Sequence, residues 1–419
     1  MRRKYLASTF AAVSGAVLLL SACSSSGGGG SSGTPTNSAA APASGGSSVA
    51  PASGTPIQLG MINQENTPAG SYPDVRQGAL AAVSYINDSL GGFNGAPLKL
   101  TPCITDASPA SGANCSRKLI GDKVVAVVGG EDFSTSGSIP PLEKAKIPYV
   151  GGIPILPDES TNPISFQFSG GSSGAFSAQD QYIAQTVKAK KVNIITTANP
   201  AGLAAATTFG AKILAKLGVT DVKSVQAAAD AADFTAPVQQ IAANNPDAII
   251  VLFGSPGCSR IMQARGSLGI TATTFYPGSC LTSAEVKAGG AGAAGALFNS
   301  DNMLFTGDDP QVVIWRAQMA KYQPSAVLSA YSQNGFQSVM NLWAAMKKGP
   351  AEPTSASIIS TLESSLNVPS FMGHPYTCNH KIVPGNPAIC SSAQRIIQYK
   401  DGKFVDVLNA WVDGAKLVG

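Results

Sequence analysis

The chain has 419 residues, 44% of them hydrophobic and only 12% charged, with 45 glycines and 28 prolines. That is enough apolar material for two or three domains, and too little charge for electrostatics to be the working principle. The formal net charge of +4 is carried largely by Arg2, Arg3 and Lys4, which argues against an electrostatic nucleic-acid binder, and two histidines, His374 and His380, argue against multi-histidine metal sites.

In chain order, the basic residues 2–4 and the apolar stretch Ala11–Leu20 form the n- and h-regions of a secretory signal, too short to span a bilayer. The signal is expected to cover residues 1–22 and to be cleaved. The h-region ends in Leu20-Ser21-Ala22-Cys23, which resembles the lipobox of bacterial lipoproteins, in which the cysteine is lipidated and becomes the first residue. From Ser24 to Pro56 the chain uses only Gly, Ser, Ala, Pro, Thr, Asn and Val, a composition that cannot bury a core. Residues 23–56 therefore read as a lipid-anchored tether, and a Gly/Ser-type coil of this length has an r.m.s. span of roughly 30 Å.

From Ile57 onward short apolar or β-branched runs alternate with helical patterns, the mark of βαβ units on mostly parallel sheets. The clearest strands are 57–62, 98–100, 124–128, 192–196 and 248–253. After the first, Val75, Ala79, Val83, Ile86 and Leu90 recur at three- and four-residue spacings and predict a helix ending at Gly91-Gly92. A second helix is expected near Pro109–Ile120, and a third after Ser134-Thr135-Ser136, whose hydroxyls suit an N-cap. Later helices are expected at 201–216, 233–244, 257–267 and 333–347. A single sheet over this length exceeds ordinary domain size, so two lobes are preferred.

Once Cys23 is set aside, six cysteines remain, an even number that suggests disulfides in an exported chain. They fall into three sequence-local couples, Cys103 with Cys115, Cys258 with Cys280 and Cys378 with Cys390, the simplest pairing. His374, Cys378 and His380 are of metal-ligand type but lack a convincing fourth ligand, so no metal and no cofactor is expected.

The string from Gly78 through Ala79, Ala82, Ile86 and Asn87 to Gly91-Gly92-Phe93-Asn94-Gly95 is similar to the opening of type I periplasmic binding proteins of the leucine/isoleucine/valine-binding kind. Further similar pieces follow in order: Asp106, Lys118-Leu119-Ile120 with Val124–Gly129, Ser134-Thr135-Ser136, Ile147-Pro148, Asp233-Phe234-Thr235 and Pro246-Asp247-Ala248-Ile249. The resemblance covers about residues 57–419. It implies an α/β fold of two Rossmann-like lobes with parallel-type sheets joined by three hinge crossings, placed after Phe168, near Phe305 and between Phe371 and Cys390. Lobe I would comprise 57–170 and 306–372, and lobe II 171–305 and 373–419.

By the same resemblance the chain is the extracytoplasmic capture subunit of an ABC importer, a monomer anchored to the cell membrane by its N-terminal lipid. It would take a branched-chain amino acid, or a related small carboxylate or amide, between its lobes and hand it to the permease subunits, with no nucleic acid as partner. Ligand would lie outside the carboxyl ends of the strands, where open α/β sheets also bind on physical grounds. Ser134 and Thr135, at a helix start, would take a ligand carboxylate. Tyr72, in the loop after the first strand, would lie against the ligand, and Gly152 and Ile153 would offer backbone groups. Asn199, Ser255 and Ser279 stand at strand ends of lobe II.

Amino-acid binders of this family present an aromatic residue after the strand equivalent to 192–196 and an acid after the one ending near Tyr276. This chain has Asn199-Pro200-Ala201 and Pro277-Gly278-Ser279-Cys280 there. An unpaired buried ammonium is costly, so the sequence points to a small, mostly apolar carboxylate or neutral polar ligand, unless Glu131 or Asp132 supplies the missing charge. Two other functions compete. The same module can sense a ligand and signal through a membrane partner instead of feeding a permease. A serine hydrolase is remote, because Gly170-Gly171-Ser172-Ser173-Gly174 matches the elbow pattern no better than Gly29-Gly30-Ser31-Ser32-Gly33 does in the tether.

Overall fold

A computed structural model describes residues 50–67 and 70–417, all within the unit that begins at Ala41. The expected signal, lipobox and most of the tether, Cys23 included, lie outside the described residues. Two sheets organise the rest. The first has strand order β2-β1-β3-β4-β5 and is wholly parallel: β1 (Ile57–Gln64), β2 (Leu98–Thr105), β3 (Ala126–Gly129), β4 (Tyr149–Val150) and β5 (Ser165–Phe166). Between them run α1 (Pro73–Ser89), α2 (Pro109–Gly121), α3 (Thr135–Ala145) and α4 (Pro157–Thr161).

The second sheet has order β12-β11-β10-β9-β8-β6-β7. Its parallel part comprises β6 (Lys191–Thr197), β7 (Asp221–Ala227), β8 (Ala248–Leu252), β9 (Thr273–Tyr276) and β10 (Leu297–Ser300). The intervening helices are α5 (Gly171–Tyr182), α6 (Pro200–Ala205), α7 (Lys212–Lys216), α8 (Thr235–Ala242), α9 (Gly257–Ser267) and α10 (Ser283–Gly289). Three more helices, α11 (Pro310–Tyr322), α12 (Ala330–Met346) and α13 (Ser355–Glu363), precede β11 (Arg395–Lys400) and β12 (Lys403–Asp406), which close the sheet antiparallel. The helix expected over 201–216 is interrupted by a π-helical stretch, Ala206–Ala211.

The strand runs are apolar because both faces of each sheet are covered; Ala248, Ile249, Ile250 and Val251 of β8 are all buried. α1 follows from Pro73 in its first turn and a buried stripe containing Val75, Ala79, Val83 and Ile86. That stripe faces α12, which returns from the second sheet to cover the first. The helices approach closely because Gly78 and Gly335 stand opposite each other's backbones: a Cβ on Gly78 would meet the Ser332 carbonyl, and one on Gly335 the Val75 carbonyl. Trp343 Nε1 donates to the Gly92 carbonyl at 2.9 Å and fixes the far end of α12.

Three segments connect the sheets: 167–170 after β5, 301–309 after β10, and 364–394 before β11. They are bonded side by side. Gln167 bridges Ile389, Asn302 bridges Gly373, and the Met303 amide donates to the Met372 carbonyl at 2.7 Å.

The three local disulfides are closed, joining Cys103 to Cys115, Cys258 to Cys280 and Cys378 to Cys390. The first ties β2 to α2, and the second pins the Gly278–Cys280 turn to the start of α9. The third knots the last connecting segment, with Cys390 also donating its amide to the Gln167 carbonyl at 2.8 Å. Cys378 is thereby removed as a metal ligand, and among the described residues no three His, Cys, Asp or Glu side chains converge on a metal position. Among the described residues, no helix is long and apolar enough to cross a membrane.

Candidate functional site

The carboxyl ends of β1 and β3 lie side by side, and the amide of Asn63 organises the loops that leave them. Its Nδ2 donates to Glu65 Oε1 at 3.0 Å and to the Tyr72 carbonyl at 2.8 Å, while its Oδ1 accepts from the Glu131 amide at 3.3 Å. Gly130 must be glycine for this approach, since a Cβ there would run into the Asn63 side chain. Gln64 completes the bracket: its backbone N–H donates to the Glu131 carbonyl at 3.2 Å, and its Oε1 accepts from the Phe133 amide at 3.0 Å. Both faces of the Glu131 peptide are thus fixed by neighbouring strand ends.

α12 supplies the opposite wall. Ser329 caps it in a reciprocal arrangement with Ser332, and the Ser329 hydroxyl donates to Asp74 Oδ2 at 2.5 Å at the start of α1. That cap sets Tyr331, whose ring centroid lies 5.8 Å from that of Tyr72. The hydroxyls of Tyr72 and Tyr331 are both directed at the Glu131 carboxyl, and the Tyr331 hydroxyl also meets Ser279 from the second sheet. Residues at the carboxyl ends of both sheets therefore converge at this point.

The electrostatics of the group are one-sided. Glu131 is 5% exposed, and its Oε2 is buried with no hydrogen-bond partner among the described residues. Burial pushes its carboxyl up to about 7, against the pull of the two tyrosine hydroxyls and with a further push from Asp74 and Asp301. Tyr72 and Tyr331 are held well above the usual phenol range by burial and by the Glu131 charge. Asp74 and Asp301 are raised by burial too, although each accepts neutral donors. Arg76 pairs with Glu65 at 2.6 Å, but Asp74, Glu131, Asp132 and Asp301 take part in no ion pair among the described residues.

The expected site residues divide. Tyr72 and Ser279 come together around Glu131 and Tyr331. Ser134 faces inward: its hydroxyl donates to Asp132 Oδ2 at 2.5 Å and its N–H to Asp132 Oδ1 at 3.0 Å, so a resident carboxylate fills the anion position before α3. That arrangement runs against a ligand carboxylate at Ser134. Thr135 is fully buried, with its Oγ1 unpartnered. The Gly152 and Ile153 amides are spent on Ser338 Oγ at 3.0 Å and on the Gly130 carbonyl at 2.9 Å. Asn199 is exposed and caps α6, accepting from the Gly202 amide at 2.7 Å, and Ser255 donates to the Glu285 carboxylate. Neither Asn199 nor Ser255 is drawn into the Glu131 group by these bonds.

Sequence reasoning missed Tyr331, Asp301 and Asn334. Ser329 and Ser332 mark a helix start just before Tyr331, which was the signal available. An open depression of about 540 Å³ is lined by Ser283, Ala284, Phe305, Thr306, Arg316, Val327 and Leu328, none of which belongs to the Glu131 group. Arg316 there donates to the Phe305 and Gly307 carbonyls at 3.0 and 2.6 Å, so its charge is already engaged.

A family profile described as periplasmic binding protein matches residues 56–387. The fold is similar to that of the leucine binding protein LivK of Thermotoga maritima, at 18% identity over 85% of this chain and 99% of that one, with a TM-score of 0.67. It is equally similar to the branched-chain amino acid transporter substrate binding protein LivJ of Streptococcus pneumoniae in complex with isoleucine, at 19% identity, 84% and 98% coverage and a TM-score of 0.67. An ABC transporter substrate-binding protein of Sphaerobacter thermophilus gives 15% identity, 87% and 99% coverage and a TM-score of 0.73. No curated protein matches the chain.

Proposed function

Because the chain belongs to the periplasmic binding protein family, a family of binding proteins and not of enzymes, we propose that it captures one small solute between its two sheets and delivers it to the permease of an ABC importer. The solute is of branched-chain amino acid size or a close relative. Lobe I is taken as 57–170 with 306–372, and lobe II as 171–305 with 373–419, the connecting segments serving as the hinge. What carries the reading is the convergence of Tyr72, Glu131 and Tyr331 from one side with Ser279 from the other. A site split in this way is completed only when the lobes approach, so ligand and closure stabilise each other. In the cell the protein is held at the membrane by a lipid on Cys23, with residues 24–56 as tether.

Small-angle scattering tests capture: the solute released from the purified protein by denaturation, added back to emptied protein, is expected to reduce the radius of gyration. A tight ligand that leaves the radius unchanged argues for a rigid module instead. The anchor is tested separately, since Cys23→Ala should release protein that otherwise sediments with membranes.

A further inference from the structure

We infer that the first lobe docks on an anionic lipid surface through its pole at the amino ends of the strands, so that the solute site opens away from the membrane. The inference goes beyond capture and rests on the anchor reading above for the choice of pole.

Three observations carry it. The first is where the chain joins the lobe. The Ala52 amide donates to the Asn87 carbonyl at 2.9 Å and the Ser53 amide to the Gly95 carbonyl at 2.8 Å, which clips this segment to the end of α1 and the turn before β2. Residues before Ala52 therefore join the fold at the amino end of β1, opposite the end that carries Glu131.

The second is the charge at that pole. α2 and α3 finish there because they return antiparallel to the strands, and α11 and α12 finish there because Tyr322 and Trp343 reach Asp88 and Gly92 at the end of α1. Lys99, Lys123, Lys144, Lys146, Lys347 and Lys348 are exposed at these helix ends and strand starts, and none takes part in an ion pair among the described residues. The acids beside them are fewer, and Asp88, Asp122 and Glu143 are engaged by Tyr322, Lys118 and Asn162. The third is the opposite end of the same lobe, where Glu65, Asp74, Asp106, Glu131 and Asp132 gather and Arg76 is paired with Glu65. An anionic surface attracts one pole and repels the other.

Lysines at helix ends also complement the helix dipole, and the second lobe has the same habit, with Lys188, Lys190 and Lys191 before β6 and Lys400 and Lys403 at its outer hairpin. What singles out the first lobe is that the anchored chain joins it there. Near an anionic surface each lysine is worth roughly a fivefold factor in affinity, and tethering raises the local concentration so that a weak attraction suffices.

Trp343 reports the docked state. It is partly exposed at this pole, with the Lys347 Nζ 4.8 Å from its ring centre, while Trp315 is buried and Trp411 can be replaced by Phe. The lipidated protein is placed on vesicles whose headgroups carry a nitroxide quencher, made either of phosphatidylcholine alone or of phosphatidylcholine mixed with phosphatidylglycerol. Trp343 is expected to be quenched on the anionic vesicles only, and to recover when salt is raised to about 0.5 M. Changing Lys123, Lys146 and Lys348 together to Gln should lower the docked-to-free ratio about hundredfold and abolish quenching. Changing Lys190, Lys191 and Lys400 together to Gln should leave it intact, and thermal unfolding shows that both triple variants are folded. Quenching that ignores lipid charge, survives the first triple or is lost equally in the second overturns the assignment. Absent quenching together with impaired uptake by the first triple also overturns it, and makes the partner an acidic protein surface. Sedimentation with the neutral vesicles reads the anchor separately: protein that stays in solution has no anchor, and Trp343 quenching on the anionic vesicles then still decides for or against docking.

Discussion

The Asp301 carboxylate accepts a hydrogen bond from Asn334 Nδ2 at 2.9 Å, joining the residue that follows β10 of the second sheet to the α12 helix that covers the first. Ser169, in the segment after β5, also bonds to Asp301, so one half-buried carboxyl gathers two connecting segments and a helix. Hydrogen bonds to a charged group contribute about 1.5–3 kcal/mol. Asn334→Ala is expected to lower the thermal midpoint and to enlarge the radius of gyration of the ligand-free protein, because the lobes lose a tether at the hinge. Unchanged scattering and an unchanged midpoint would show that this bond does not restrain the hinge.

Ser134 gives a sharper contrast between a structural and a ligand-binding role. Both of its donors go to Asp132, which Thr105 Oγ1 also bonds at 2.7 Å. Ser134→Ala is therefore expected to cost about 1 kcal/mol of stability, the usual range for a lost helix-start contact, and to leave ligand affinity within a factor of two or so. Calorimetry beside thermal unfolding checks this. A tenfold loss of affinity without a drop in midpoint would return Ser134 to the ligand.

What could be read in advance was local. The α1 stripe, the apolar run of β8 and the three cysteine couples each depend on spacing within a short stretch. α5 escaped notice because its buried face is built from Gly171, Gly174, Ser177, Ala178, Gln179 and Asp180, small and polar residues that leave no apolar period to detect. β11 and β12 follow a long irregular segment and pair antiparallel against a parallel sheet, a topology that alternation does not announce. At the site, Tyr72 was legible from its place after the first strand. Glu131 was legible only as a spare acid, because its meaning depends on Tyr331, which reaches it through the Gly78 and Gly335 contact of two helices far apart in sequence.

The Cys258–Cys280 disulfide bears on the site through its neighbour, for Ser279 sits in the turn that the bond pins to α9. In the chain-entropy treatment, a bond closing a loop with a separation of 22 residues stabilises by about 3 kcal/mol. Replacing both cysteines with serine is expected to lower stability by that order and also to weaken ligand binding, since Ser279 would meet Tyr331 from a looser turn. Replacing Cys103 and Cys115 in the same way should lower stability and leave affinity alone. Equal effects of the two double variants on affinity would detach the Ser279 turn from the site.

The cost of burying Glu131 should be visible in stability against pH. Its carboxyl rises to about 7 in the folded chain, from 4.5 for an ordinary glutamate, chiefly through burial. Between those values the folded protein holds a proton that the unfolded chain has released, so unfolding free energy falls as pH rises through this window, by about 3 kcal/mol in all. Below the window both states are protonated and the penalty vanishes. Glu131→Gln removes the ionisation while keeping a similar shape, so the variant is expected to unfold at a higher temperature than the wild type at pH 8 and at nearly the same temperature at pH 4. Identical midpoints at both values would mean that water reaches the carboxyl freely.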